Sequence, residues 1–441
     1  VIRLKWFAKQ QEQRKKTLLS KFESNVLLSP DDVGLMWATI TSASTFSIDD
    51  NADINKISSW LRQRVHLLLN ANPWLAGRLS SEIDGAQIVL NIPSKVSEDI
   101  FQKSFSHTIV RNVSKELQST PSELFCVRGY SAINKDEPVW KLTLLTSQKG
   151  KEAAIVVSMC HGIGDGKTFF TVQRMLSSLE KIRSLVFHRP PPSEYDSLPG
   201  HHSRQSQPQP SASVSSFDLS TAFRLLKNLA IGSTRTKHYI IDPGWLENEK
   251  SNYLASRSPH DPQFVTTNDI IVARLLKSYS TVSTLFSTRG TKDCETKDDA
   301  GNHIAYWLFS HGDTISRIRR TTEFQFQKTE ARNSSGITPG NPLPNVDAGI
   351  VVVTNLTSFF CEMIIPGCSY KLQYRIPDTK MSIRQMLLQH LVGIKGKVTI
   401  YKPTKETIAA CVTTFDGRNP CQLFPGSPFV PFELRRKKGD S

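Results

Sequence analysis

The sequence predicts an α/β protein built from two large domains. Three observations lead to this prediction: a length of 441 residues, helical and strand-like patterns in both halves, and a stretch rich in Pro and Ser between them. Because domains commonly hold about 150 residues, the chain is long enough for two or three. It can bury a core without disulfide or metal cross-links. Apolar residues recur in short runs throughout, which excludes generic disorder.

The break in composition lies between His188 and Phe217, where Pro, Ser and Gln dominate. Proline cannot continue a helix, and this segment has few apolar side chains with which to fill a core, so it is typical of a surface linker. We therefore predict an N-terminal half-domain over residues 1–187, a linker over 188–217, a C-terminal half-domain over 218–434 and a basic tail over 435–441.

The first half contains patterns of both kinds. Apolar residues within Asn55–Asn70 recur at helical spacing, and Asn72–Pro73 should end this helix because proline disfavours the α conformation of the residue before it. Ile155–Met159 is a short apolar run, typical of a strand buried on both faces. After His161–Gly166, apolar residues from Phe169 to Ile182 keep the i, i+3, i+4 rhythm of a second helix.

The second half is also mixed. Thr267–Asp269 supplies capping residues in front of Ile270–Leu276, which predicts a capped helix. Gly349–Thr354 and Lys397–Tyr401 are predicted strands. Helices and strands in both halves indicate two α/β domains.

The charge balance favours anionic partners without choosing among them. The chain carries 55 Lys and Arg against 40 Asp and Glu, a formal net charge of +15. It has no RNP-like strand, no Cys/His finger spacing and no basic region joined to heptads, so we do not expect nucleic acid binding.

Cysteine usage and hydropathy limit the class of protein further. None of the seven cysteines forms a CxxC pair, so neither a zinc ribbon nor a secreted disulfide framework is indicated, and we predict no metal site. Reduced thiols indicate a cytoplasmic protein. No apolar stretch approaches the roughly 20 residues that cross a bilayer, so we predict no transmembrane segment.

The segment Ile155–Phe170, IVVSMCHGIGDGKTFF, carries the clearest chemical pattern. A buried strand ends at His161, and a glycine-rich turn and a helix follow. Glycines beside a histidine let the backbone turn sharply and let a substrate approach the ring. An imidazole titrates near neutrality, so it can accept a proton from a hydroxyl, amine or thiol nucleophile. Asp165 can orient the loop or the ring by hydrogen bonding or ion pairing.

A structural histidine is the alternative interpretation. With 11 histidines in the chain, a His followed four positions later by an Asp also arises by chance, and a histidine after a strand is commonly structural. The succession of strand, glycine turn and helix favours the catalytic interpretation, because it is a usual way to present an exposed reactive side chain.

This segment resembles a known family. His161–Gly166 is similar to the HxxxDG motif of the BAHD and chloramphenicol-acetyltransferase-like superfamily, which includes condensation domains. Further stretches between about residues 25 and 415 resemble family motifs in the expected order. They are Asn72–Leu79 (NPWLAGRL, as YPxLAGRL), Thr266–Ala273 (TTNDIIVA, as STNDxxxA), Thr288–Gly290 with Asp298–Asn302 (TRG and DDAGN, as RxR and GN), and Val353–Phe360 (VTNLTSFF, as VTSWxxxP).

Two positions depart from the family pattern. Cys361–Gly367 (CEMIIPG) stands where the family has DFGWG, a loop usually described as structural. Cys160 stands where condensation domains carry a second histidine, which disfavours a peptide-synthetase interpretation. Because side chains alternate along a strand, Cys160 should face away from His161 as buried filler.

The resemblance implies two chloramphenicol-acetyltransferase-like half-domains, each a mixed sheet flanked by helices, joined by a long crossover linker. It also implies a channel at their interface with His161 at its middle. His161 and Asp165 are then the catalytic residues, and Asp165 pairs with Arg289 of the other half. The supporting residues implied are Gly162, Gly164, Gly166, Arg289 and Asn302. Donors to the oxyanion would be backbone N–H groups of the turn or the hydroxyls of Thr354 or Ser358.

The function implied is transfer of an acyl group from acyl-CoA to a small-molecule alcohol or amine. Acyl-CoA is a co-substrate in this scheme, and no cofactor stays bound. Two packed half-domains make a monomer sufficient. Two alternatives stay open: a non-catalytic scaffold of the same fold that binds a ligand or partner, and a condensation-type enzyme that uses carrier-protein thioesters.

Overall fold

The computed structural model describes residues 22, 24–81, 87–187, 234–279, 281–287, 300, 304–327, 349–376, 394–415 and 429–431. These residues form two compact units. The first contains the described residues up to Phe187, together with Ala300 and 361–376, and the second contains the others. The predicted linker lies outside the described residues.

Strands and helices alternate in both units. In chain order the strands are β1 (Ser24–Leu27), β2 (Thr39–Ile48), β3 (Arg78–Ser81), β4 (Ile88–Ile92), β5 (Phe105–Val110), β6 (Trp140–Ser147), β7 (Glu152–Cys160), β8 (Arg235–Ile241), β9 (Thr281–Ser287), β10 (Ile304–Ser310), β11 (Ile350–Asn355), β12 (Cys368–Arg375), β13 (Ile394–Tyr401), β14 (Ala409–Thr414) and β15 (Phe429–Pro431).

The α-helices are α1 (Pro30–Leu35), α2 (Ile54–Ala71), α3 (Glu98–Ser104), α4 (Val113–Ser119), α5 (Gly129–Ala132), α6 (Gly166–Arg174), α7 (Pro243–Ser256), α8 (Thr267–Leu276) and α9 (Ile315–Gln327). Short 3₁₀ turns cover Pro73–Ala76, Ser122–Leu124, His161–Ile163 and Thr357–Phe359. No helix among the described residues is both long enough and apolar enough to cross a membrane.

The main sheet of the first unit has the strand order β12-β2-β7-β6-β5 within the described chain. Its strands are antiparallel except β5, which runs parallel to β6. β7 lies at the centre and is buried from Ala153 to Cys160, which confirms the strand predicted at Ile155–Met159. A smaller antiparallel sheet has the order β1-β4-β3.

One edge of this main sheet comes from a distant part of the sequence. β12 pairs antiparallel with β2, and Gln373 lies opposite Ser44. The C-terminal half-domain predicted over 218–434 includes residues 361–376. In the structure they pack with the first unit, because β12 completes hydrogen bonds along an edge that β2 otherwise leaves open.

The helix predicted at Asn55–Asn70 is α2. Asp53 caps it through a 2.8 Å hydrogen bond from the backbone N–H of Asn55, and the helix buries Ile57, Leu61, Val65, Leu68 and Leu69. These positions form one apolar face at helical spacing. The helix ends at Asn72, immediately before Pro73, as predicted.

The second predicted helix, α6, is shorter than its apolar rhythm indicates. The rhythm runs to Ile182, but α6 ends at Arg174 and Leu179 is 76% exposed. The guanidinium of Arg64 donates to the carbonyl oxygens of Met175 at 2.9 Å and Ser177 at 2.8 Å. It therefore satisfies carbonyl groups that a longer helix would use internally, and the prediction beyond Arg174 is wrong.

The second unit has a seven-stranded sheet with the order β10-β9-β11-β13-β14-β8-β15 among the described strands. β9, β11 and β13 are parallel, which makes this sheet mixed as well. α8 packs on β9 and β11 and also contacts α7 and α9. It begins after Thr266, whose side chain forms a capping box with Asp269, and the helix and both strands predicted here are confirmed.

Candidate active site

The candidate site is the turn between β7 and α6. β7 ends at Cys160, His161–Ile163 forms a single 3₁₀ turn, and α6 starts at Gly166. The backbone N–H of His161 donates to the carbonyl of Ala38 at 3.1 Å. The predicted succession of buried strand, glycine turn and helix is therefore present in the structure.

The imidazole of His161 stands at the boundary between protein interior and solvent. The residue is half-buried, and its Nδ1 atom is completely buried. His161 is therefore neither fully buried nor fully exposed, and its buried edge is the one that carries Nδ1.

Asp165 fixes the other end of the turn. Only 2% of it is exposed, and its Oδ1 accepts a 2.8 Å hydrogen bond from the backbone N–H of Thr168. It is the N-cap of α6, where a carboxylate also interacts favourably with the positive end of the helix dipole. Asp165 is therefore tied to the start of α6 by its side chain.

The glycines of the turn are required by close packing within the protein. A Cβ added at Gly162 would lie 2.4 Å from Cγ of Met36, and one at Gly164 would lie 2.8 Å from Cγ2 of Thr168. Both distances are shorter than real Cβ contacts. The neighbours are protein side chains, so these contacts, rather than substrate approach, explain why glycine stands here; Gly166 is the first residue of α6.

The supporting residues of α1 were missed in the sequence. Ser29 and Asp32 form a capping box at its start, and Met36, just after its end, is 0% exposed and touches the turn. The pattern Ser-x-x-Asp before an apolar run could have located the start of this helix. The contact between Met36 and the turn, some 125 residues further along the chain, cannot be predicted from a local sequence pattern.

Cys160 does not take part in the chemistry. It is 1% exposed, and burial raises the pKa of its thiol to about 11, although backbone hydrogen bonds from Gly162 and Gly129 lower it in part. The nucleophilic form of cysteine is the thiolate, which this thiol does not form near neutral pH. The predicted role of Cys160 as buried filler agrees with these observations.

The remaining predicted residues belong to the second unit or lie outside the described residues. Thr354 is on β11 with its Oγ1 buried, and Ser358 is exposed on the turn Thr357–Phe359. Both belong to the second unit. Arg289 and Asn302 lie outside the described residues. The ion pair with Asp165 and the oxyanion donors stay predictions.

The described part of the chain contains no group of three or more His, Cys, Asp or Glu side chains that could hold a metal ion. The turn offers the imidazole of His161 and the capping carboxylate of Asp165.

Comparison with known proteins identifies the fold. No family model matches the chain, and no curated protein matches it in sequence. A structure of TRI101 from F. graminearum complexed with coenzyme A and T-2 mycotoxin is similar, with a TM-score of 0.56 at 14% identity, covering 90% of this chain and 96% of that one. Vinorine synthase gives a TM-score of 0.56 at 11% identity, covering 90% and 91% of the two chains.

A third similar structure is polyketide synthase associated protein 5 from Mycobacterium tuberculosis. Its TM-score is 0.53 at 12% identity, with 90% of this chain and 95% of that chain covered. The chain therefore shares the fold of these structures, and its mixed sheets flanked by helices are those of the fold class that the resemblance implied.

Proposed function

We propose that the protein is an acyltransferase, which moves an acyl group from acyl-CoA to the hydroxyl or amine of a small-molecule acceptor. One observation carries the proposal: His161 stands half-buried at the end of the central strand β7, on a turn that Asp165 caps. The fold adds support, because TRI101 has been captured with coenzyme A and T-2 mycotoxin.

His161 acts as the general base in this proposal. Its Nδ1 is buried, so Nε2 is the nitrogen that would face the acceptor. Nε2 takes the proton of the acceptor as its oxygen or nitrogen attacks the thioester carbonyl. The tetrahedral intermediate then collapses, the bond from carbon to sulfur breaks, and the imidazolium returns the proton to the departing CoA thiolate. General-base catalysis of this kind typically contributes 10²–10⁴-fold in rate.

The oxyanion of the intermediate needs hydrogen-bond donors about 3 Å away. Backbone N–H groups of the turn after His161 are one source. The hydroxyls of Thr354 and Ser358 are the other, and the Thr354 hydroxyl is buried with no hydrogen-bond partner among the described residues. Asp165 would additionally pair with Arg289, with Asn302 supporting a turn nearby.

The proposal assigns acyl-CoA the role of co-substrate, with no bound cofactor and no metal. It places a monomer in the cytoplasm, acting on small molecules rather than nucleic acid. The net charge of +15 suits a donor that carries several phosphates. A buried Cys160 before the histidine gives no support to the carrier-protein alternative.

The test is release of CoA thiol by the purified protein. Pooled acetyl-, malonyl-, aromatic and long-chain acyl-CoAs are supplied with mixed alcohols and amines. Acceptor-dependent release is expected, and His161→Ala should lower it at least about 10²-fold. His66→Ala, an exposed histidine on α2, is the matched control and should change nothing. Equal release by wild type and His161→Ala would remove His161 as the base, and no release by either would favour the scaffold or the carrier-protein alternative.

A further inference from the structure

The segment Ser29–Ala38 lies against the turn that carries His161. Its helix, α1, has only six residues, so the cap matters for its stability. The backbone N–H of Asp32 donates to Ser29 Oγ at 3.1 Å, and Asp32 Oδ2 accepts from the N–H and the hydroxyl of Ser29 at 3.1 and 2.9 Å. Asp32 is 1% exposed. The capping box therefore fixes the start of α1 inside the protein.

Met36, just beyond α1, packs against two glycines. A Cβ at Gly162 would lie 2.4 Å from Met36 Cγ and 3.0 Å from the carbonyl oxygen of Asp32. A Cβ at Gly129 would lie 2.8 Å from Met36 Cβ and 3.0 Å from Met36 Cε. Met36 is 0% exposed. Its side chain consequently contacts Gly162, the residue that follows His161, and leaves no room for a methyl group there.

A second contact fixes the backbone of the histidine itself. The N–H of His161 donates to Ala38 O at 3.1 Å, directly after the β2–β7 ladder in which Thr39 lies opposite Cys160. Two adjacent positions are therefore held by one segment: His161 by the carbonyl of Ala38, and Gly162 by the side chain of Met36.

We propose that Met36 is a positioning residue for His161, and that its packing against Gly162 sets where the imidazole stands. This inference rests on the proposed function, in which the imidazole must meet the acceptor proton at hydrogen-bond distance. Misplacing a catalytic group by about 1 Å can cost on the order of 10²-fold in rate. Methionine adapts its shape easily, but Met36 is 0% exposed and lies so near Gly162 that a methyl group there would displace it.

The first test is Gly162→Ala, which pushes a methyl group against Met36. We expect kcat for CoA release from acetyl-CoA, with the acceptor pool, to fall about 10²-fold while KM for acetyl-CoA stays unchanged. The imidazole signal of His161, followed by NMR in the full chain with ¹³C-labelled histidine and assigned with His161→Ala, should move. The double variant Met36→Ala/Gly162→Ala removes Cγ from the contact and should recover about tenfold of the loss.

The control is Leu90→Ala, a core truncation in β4 of the small sheet, where the side chain is 0% exposed. It should lower thermal stability and leave both kcat and the His161 signal as in wild type. Should Gly162→Ala fail to fold, Met36→Leu takes its place, because it keeps the volume and moves a methyl branch to Cγ. It should shift the His161 signal and lower kcat a few-fold.

An unchanged kcat and an unchanged His161 signal in a folded Gly162→Ala or Met36→Leu variant would overturn the proposal, as would a double variant no better than Gly162→Ala. If the wild type releases no CoA, the proposed function fails by itself. The NMR signal then decides alone whether Met36 positions the ring: a shift on substitution supports it, and no shift overturns it.

Discussion

The two units each bury an ionisable side chain, and they stabilise it in opposite ways. In the first unit, Arg78 is 0% exposed and donates to Asp136 Oδ1 at 2.8 Å and to the carbonyls of Ala76 and Gly77 at 2.9 and 3.0 Å. In the second, His238 is 7% exposed, and burial lowers its pKa to about 3. The guanidinium stays charged and paired, whereas the imidazole is kept neutral.

The difference follows from chemistry. A guanidinium does not lose its proton in proteins, so a buried one must be given acceptors. An imidazole can lose its charge, and the Nδ1 atom of His238 is 3.0 Å from the Tyr401 hydroxyl, a hydrogen bond that a neutral ring can make. His238 lies within β8 opposite Cys411, whereas His161 follows the end of β7. Position in the strand thus separates the buried His238 from the half-buried His161.

The largest effect that tests this comparison is on acid stability. The folded pKa of His238, about 3, is below the unfolded value of about 6.5, so the unfolded chain binds more protons between these values. The contribution of neutral His238 to the free energy of unfolding is complete above about pH 6.5. It decreases by about 1.4 kcal/mol for each pH unit as the pH falls between these two pKa values. His238→Gln should reduce this slope, measured by urea unfolding at pH 7, 6 and 5. The exposed His66→Gln should keep it, and equal slopes in wild type and His238→Gln would show that His238 is not buried in neutral form.

The next effect belongs to the first unit and appears at lower pH. Burial alone would raise the pKa of Asp136, but hydrogen bonds from Lys103 and Arg78 and their charges hold it below its usual range. The stability it contributes is present above its unfolded pKa of about 3.9 and is lost as the pH falls through the folded value.

Asp136→Asn should therefore destabilise the protein at pH 7 by about 2 kcal/mol, because Arg78 then lacks its anion. This figure is discounted for screening, since the side chain of Asp136 is 44% exposed. Urea unfolding should show the difference shrinking below about pH 4. Asp50→Asn, which breaks an exposed ion pair with Lys151, is the control and should have no measurable effect. A constant difference from pH 7 to pH 3 would contradict the assignment to Asp136 ionisation.

Local patterns in the sequence predicted the elements that carry the site. The apolar face and capping residues of α2, the continuous apolar run of β7 and the glycine turn before α6 are each contained in a short segment. The end of α6 could not be predicted in the same way. Arg64, which binds the carbonyl of Met175, is 111 positions away in the sequence. The local spacing of apolar residues therefore does not indicate that α6 ends there.

Contacts between segments that are far apart in the sequence also explain which features of the site could not be predicted. β12 joins β2 through pairs such as Gln373 with Ser44, and Gln173 of α6 donates to the hydroxyl of Ser44 at 3.3 Å. Met36 and Gly162 are far apart in the sequence but in contact in the folded protein. The residue types of the candidate turn are visible in its own sequence, whereas the contacts that hold it come from segments brought near by folding.

The smallest effect concerns the helix caps of the two units. Asp165 caps α6 through a single acceptor, whereas Thr266 and Asp269 cap α8 reciprocally. Asp165→Ala and Thr266→Ala should each lower the free energy of unfolding by about 1 kcal/mol. Asp165→Asn keeps an acceptor oxygen and should cost a few tenths of a kcal/mol, measured by urea unfolding at pH 7. If Asp165→Asn is as damaging as Asp165→Ala, the negative charge of Asp165 rather than its acceptor oxygen holds the turn. That outcome would favour the ion pair with Arg289 as the reason for aspartate at this position.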